Sequence, residues 1–105
     1  EEDGMLVVIA TMTAQAGKEQ EMERALLDFI PKVEPESGTL VYALHRVRKD
    51  PRKFIIYEKY RDKASFQHHG ATPYFAELFG KIGPLLDGNP AIEICEPLAA
   101  IKEKA

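Results

Sequence analysis

From Leu6 to Thr13 almost every position is apolar or β-branched, and Gly17 closes the run before a charged stretch begins, which predicts a first strand. The period then changes. Met22, Ala25, Leu26, Phe29, Ile30 and Val33 recur in steps of threes and ones, while Glu19, Gln20, Glu21, Glu23, Arg24 and Asp28 fall between them. One apolar stripe opposite one charged face is the signature of an amphipathic helix. Its acidic first turn suits the positive end of the helix dipole, and Pro31 and Pro35 are expected to limit its run.

Glu36-Ser37-Gly38 is a turn signal. Thr39 to Arg48 and Phe54 to Tyr60 follow as two valine-, isoleucine- and tyrosine-rich runs around Lys49-Asp50-Pro51-Arg52, predicting a β-hairpin. Asp62 is placed to cap a short helix through His69, and Thr72-Pro73 to start another, in which Tyr74, Phe75, Leu78, Phe79, Ile82, Leu85 and Leu86 recur at helical spacing. Asp87-Gly88-Asn89-Pro90 ends that run, and Ala91 to Leu98 reads as a last strand whose end Pro97 demotes to an edge. The order βαββ(αα)β predicts an α+β fold of ferredoxin-like type, βαββαβ, with a four-stranded antiparallel sheet. Residues 5–98 form the expected single domain, with an arm at 1–4 and a polar tail at 99–105.

Two helical segments cover one face of such a sheet, so the other should be polar. Here both faces are apolar. Leu6, Val8, Ala10 and Met12 oppose Val7 and Ile9; Leu40, Tyr42 and Leu44 oppose Val41, Ala43 and Val47. The expectation is a homodimer that packs its helix-free faces together into a dimeric α+β barrel with a sheltered interior.

A chain of 105 residues buries enough surface to fold without disulfide or metal. Its formal charge of −3 argues against nucleic acid as a partner, because phosphate binding needs a concentrated excess of lysine and arginine. The cluster Arg46, Arg48, Lys49, Arg52 and Lys53 is read as a solvated hairpin tip. No apolar run approaches the roughly 18 residues of a membrane span. Cys95, the one cysteine, lies in an apolar segment, is expected to be a small buried hydrophobe, and fits a cytoplasmic setting.

Ionisable and aromatic residues placed to line the expected interior are His45, Tyr57, Glu58, Tyr60, His68, His69 and Tyr74. Each has a plainer reading: His69 as a partner of its helix dipole, His45 as a hydrogen-bonded core histidine, the tyrosines as packing. Glu58 stands out, since a carboxylate among Phe54, Ile55, Ile56 and Tyr57 sits either at a wet opening or in an interior that holds it. There is no glycine-rich phosphate loop or paired-cysteine spacing, and adjacent His68 and His69 diverge by about 100° on a helix, so neither cofactor nor metal is expected.

The chain resembles the antibiotic biosynthesis monooxygenase family over Met5 to Leu98. Leu6-Val7-Val8-Ile9-Ala10, Gly17-Lys18-Glu19, Pro35-Glu36-Ser37-Gly38 leading into Leu40 to Arg46, Tyr57 to Asp62, and His69 followed by Thr72-Pro73-Tyr74-Phe75 carry the likeness. The resemblance implies oxidation of an electron-rich aromatic, a quinol or polycyclic phenol, by dioxygen without a cofactor. It implies His69 as general base or substrate hydrogen bond, His45 and Glu58 as polar groups of the pocket, and Tyr57, Tyr60 and Tyr74 as substrate-binding residues. Tyr60 stands where many relatives carry tryptophan, and Tyr74 where histidine is common. The absence of tryptophan, and of asparagine in the first strand, speaks against haem cleavage. Isomerisation of a small oxygenated metabolite and ligand binding without catalysis are the alternatives.

Overall fold

In a computed structural model, which describes residues 4–105, the chain runs β1 (Leu6–Thr13), α1 (Glu19–Val33), β2 (Thr39–Val47), β3 (Asp50–Tyr60), α2 (Lys63–Gly70), α3 (Pro73–Ile82), a short 3₁₀ turn (Gly83–Leu85) and β4 (Ala91–Cys95). The four strands form one antiparallel sheet ordered β2-β3-β1-β4, the ferredoxin-like arrangement. The N-terminal arm lies almost wholly outside the described residues.

Gly17 enters α1 at φ +85°, a left-handed turn that glycine adopts without penalty. The buried positions of α1 are Met22, Leu26, Phe29 and Val33, one stripe of the predicted face. They meet Ala10, Met12, Phe54 and Ile56 on the sheet and Leu78 and Ile82 on α3. Each such side chain contributes roughly 1.5–3 kcal/mol on burial. That packing carries α1 through Pro31 to Val33, the last position of the predicted stripe, and the helix ends before Pro35. The proline forfeits a backbone bond, while Val33 beyond it is 2% exposed in the core.

The hairpin also differs from expectation. β3 begins at Asp50, with a register irregularity between Arg46 and Val47 of β2, so Pro51 sits at a bulge where its missing N–H is tolerated. Lys53 pairs with Thr13 of β1 instead. Within the basic cluster, Arg46 pairs with Glu23, and Arg52 bonds the Ala14 carbonyl at 3.2 Å and Asp87 at 3.4 Å. At the far edge β4 ends at Cys95, short of the predicted Leu98, and Cys95 is exposed there rather than buried.

Both predicted helix starts form. Asp62 accepts from the Ser65 amide at 2.8 Å and Thr72 from the Phe75 amide at 3.3 Å, with Pro73 in the first turn. α2 then lies so close to the turn before β2 that a Cβ on Gly38 would meet Ser65 Oγ at 2.0 Å and Ser65 Cβ at 2.4 Å. Rotating the serine cannot relieve the second contact. Gly38→Ala is therefore expected to lower stability by about 1–3 kcal/mol, and adding Ser65→Gly to recover part of the loss, as read from urea midpoints. Equal midpoints for Gly38→Ala and the parent would mean that α2 moves freely over the sheet.

Candidate active site

Alternation along the strands sends Val8, Ala10 and Met12 of β1, Tyr42 and Leu44 of β2, and Phe54, Ile56, Glu58 and Tyr60 of β3 toward the helices. Between that face and α2 and α3 lies a cavity of about 270 Å³. Val8, Ala10, Met12 and Ile56 floor it, and Phe66, Phe75, Leu78 and Phe79 roof it. Ile92 of β4, 52% exposed, lines its rim on the sheet edge that the helices leave uncovered. Its few polar side chains are His69, Gln67 and Glu58.

His69 is 2% exposed and packs among Tyr42, Tyr60 and Phe75, with ring centroids 5.2, 5.6 and 5.3 Å away. Nδ1 lies 3.0 Å from Glu36 Oε1 and 3.2 Å from Oε2. Nε2 is buried and has no hydrogen-bond partner among the described residues. Glu36, 8% exposed, also accepts from the Thr39 hydroxyl at 2.6 Å and from the Tyr74 hydroxyl. Burial pushes the Glu36 pKa up, but hydrogen bonds from Thr39, Tyr74 and His69 outweigh it and hold the carboxyl below its usual range. Burial holds the His69 pKa below 6.5, a loss that Glu36 only partly opposes. The pair therefore rests as carboxylate and neutral imidazole. Nδ1–H donates to Glu36, which leaves the lone pair on Nε2, the arrangement of an oriented general base.

Glu58, 5% exposed, faces the same cavity from the floor and accepts a hydrogen bond from the Tyr60 hydroxyl. Burial pushes its pKa up to about 7; the Tyr60 bond opposes the rise and the Glu36 charge adds to it. The phenols of Tyr42 and Tyr60 are driven well above their ordinary range, first by burial and then by the Glu58 charge, so both stay protonated.

The sequence candidates thus separate. His69, Glu58 and Tyr60 converge beneath the helices, and Tyr74 joins through Glu36. His45 and Tyr57 do not. They pair with Ile55 and Ala43 on the helix-free face of the sheet, so the expectation of one interior shared by all of them is corrected. The sheltered space lies within the protomer, between helices and sheet. His68 is exposed on a polar cleft lined also by Arg61, Ser65 and Glu36. Glu36 was absent from the predicted site; the one signal for it is its place in Pro35-Glu36-Ser37-Gly38, where it reads as a turn residue. Among the described residues no three His, Cys, Asp or Glu side chains are grouped to hold a metal ion, and no helix is long and apolar enough to cross a membrane.

Residues 5–81 match the family described as antibiotic biosynthesis monooxygenase. With most of its length matched, the chain belongs to that family. A candidate antibiotic biosynthesis monooxygenase from Caulobacter crescentus shares 34% identity over 93% of each chain, with a TM-score of 0.88. PA3566 from Pseudomonas aeruginosa shares 32% identity over 94% of this chain and 99% of its own, with a TM-score of 0.85. The Synechocystis protein sll1783 is 27% identical over 88% of this chain, which spans 63% of that protein's length.

Proposed function

We propose that the protein is a monooxygenase that oxidises a small electron-rich aromatic, a quinol or polycyclic phenol, with dioxygen and no cofactor. The observation that carries this reading is His69: an imidazole fixed by Glu36 with its second nitrogen unsatisfied, on the wall of a mostly carbon-lined cavity. Deprotonating a phenol creates an anion able to pass electrons to dioxygen directly, so what such chemistry asks of the protein is a base, a dry pocket and a donor for the oxygen that becomes charged. The cavity volume, near the lower end of the roughly 300–1,000 Å³ typical of small-molecule sites, favours a flat bicyclic or tricyclic ring system. Tyr60 and Tyr42 form aromatic walls around the base, and Tyr74 braces Glu36. His45 and Tyr57 have no part in this pocket. The reading extends to a homodimer joined through the helix-free faces, where Val41, 36% exposed, lies beside Ala43 and Tyr57.

One observation favours a second reading. A base and a protonatable carboxyl on one cavity also suit isomerisation of an oxygenated metabolite, in which a proton leaves one carbon and returns to another.

Oxygen uptake by metal-free protein, with naphthalene-type quinols and anthrones, decides between them. Uptake well above autoxidation is expected. None across the panel, from a folded protein, moves the assignment to isomerase or binding protein; a monomer in sedimentation at micromolar concentration removes the dimer.

A further inference from the structure

We propose that Glu58 is a second catalytic residue, a carboxylic acid that protonates the peroxide formed when dioxygen adds to the substrate ring. This rests on the oxygenase reading and gives the second wall of the cavity its role. Glu58 stands on β3 between Val8 and Tyr42 in the register, on the sheet floor, whereas His69 belongs to the α2 roof. A substrate held in the cavity lies between the two. The Tyr60 hydroxyl donates to Oε1, so in the acid form the proton belongs on Oε2, the oxygen without a bond to Tyr60. The ionisable groups around it are Tyr60 on its own strand, Tyr42 on β2, His69 on α2 and Glu36 before β2. None of these is a cation at rest, and Glu36 is an anion. A carboxyl in that company keeps its proton to about pH 7.

The protons then balance. His69 Nε2 takes the phenolic proton, and the ring carbon of the resulting anion gives its electrons to dioxygen, forming a C–O bond and a peroxide anion. Glu58 protonates the terminal oxygen. The hydrogen on the oxygenated carbon then passes to the Glu58 carboxylate, its electron pair closes the new C=O, and the O–O bond breaks. The departing hydroxide takes the proton from His69 and leaves as water. One phenol and one dioxygen give one quinone and one water, with dioxygen reduced by the four electrons the ring loses. Both side chains return to their starting states without a proton crossing the protein surface.

Infrared difference spectroscopy with 1-naphthol as the bound phenol tests this without requiring turnover. At about pH 6 a protonated-carboxyl stretch is expected that Glu58→Gln removes and that naphthol shifts. In turnover, Glu58→Gln should lose about 10²-fold in quinone formation and lack the fall in activity above about pH 7. No such stretch, a stretch indifferent to naphthol, or quinone formed by Glu58→Gln at the parent rate overturns the proposal. If the parent protein takes up no oxygen, the oxygenase reading falls and the peroxide step with it, and a naphthol-sensitive carboxyl stretch then shows only that a protonated Glu58 lines the ligand site.

Discussion

His69→Ala is expected to lower quinol-dependent oxygen uptake by about 10²–10⁴-fold while leaving the circular dichroism of the protein unchanged, the range associated with loss of a positioned general base. The imidazole makes one polar contact, to Glu36, and otherwise packs on rings, so the variant leaves a void rather than a buried charge without support: Glu36 keeps the Thr39 and Tyr74 hydroxyls. The pH profile separates a catalytic loss from a structural one. Burial keeps the His69 pKa below 6.5, so the base is already in its working form at neutral pH and the acid limb of kcat/KM should fall below that value. Glu36→Gln removes the carboxylate that opposes this lowering. Its acid limb should therefore move to still lower pH, together with a smaller loss of rate, because an amide holds the Nδ1–H tautomer less firmly than a carboxylate does. Uptake retained in His69→Ala would end the assignment of His69 as the base, whatever the fate of the fold.

Local chemistry made most of the fold readable before any coordinates. The caps Asp62 and Thr72-Pro73 and the period change after Gly17 act over a few residues and form where the residues indicate, and the two hairpin runs form too, although β3 starts at Asp50 instead of Phe54. Failures fall where distant packing overrides local preference. Cys95, opposite Val7 of β1 in the register, lies on the face of the sheet that no helix covers, so it is exposed although its segment is apolar. The site was harder to read for the same reason. His69 and Glu58 attract notice as an imidazole and a carboxylate among apolar residues, but Glu36 becomes the partner of His69 only when α2 folds back over the start of β2, joining residues 33 apart in the chain. Strand parity alone already put His45 with Val41 and Ala43, on the face opposite the one that carries Tyr42 and Glu58.

Glu58→Gln is expected to be more stable than the parent at alkaline pH, by up to about 3 kcal/mol at pH 8, and equal to it below about pH 4. In the folded chain burial keeps the carboxyl protonated to about pH 7, against an ordinary value of 4.5. Between those values folding takes up a proton, so the contribution of this group is fully present below 4.5, falls as pH rises to 7 and is gone above it. Glu36 works in the opposite sense, with a lowered pKa whose stabilisation fades as pH falls. The difference between variant and parent, taken from urea midpoints across pH, isolates Glu58, because the amide oxygen introduced by Glu58→Gln still accepts from Tyr60. A difference that is flat with pH would mean that the carboxyl ionises freely in the folded protein and cannot serve as an acid. A difference that grows through the neutral range would show a residue held at a cost to stability where a neutral amide of the same shape fits, and only chemistry at the cavity wall needs the carboxyl there.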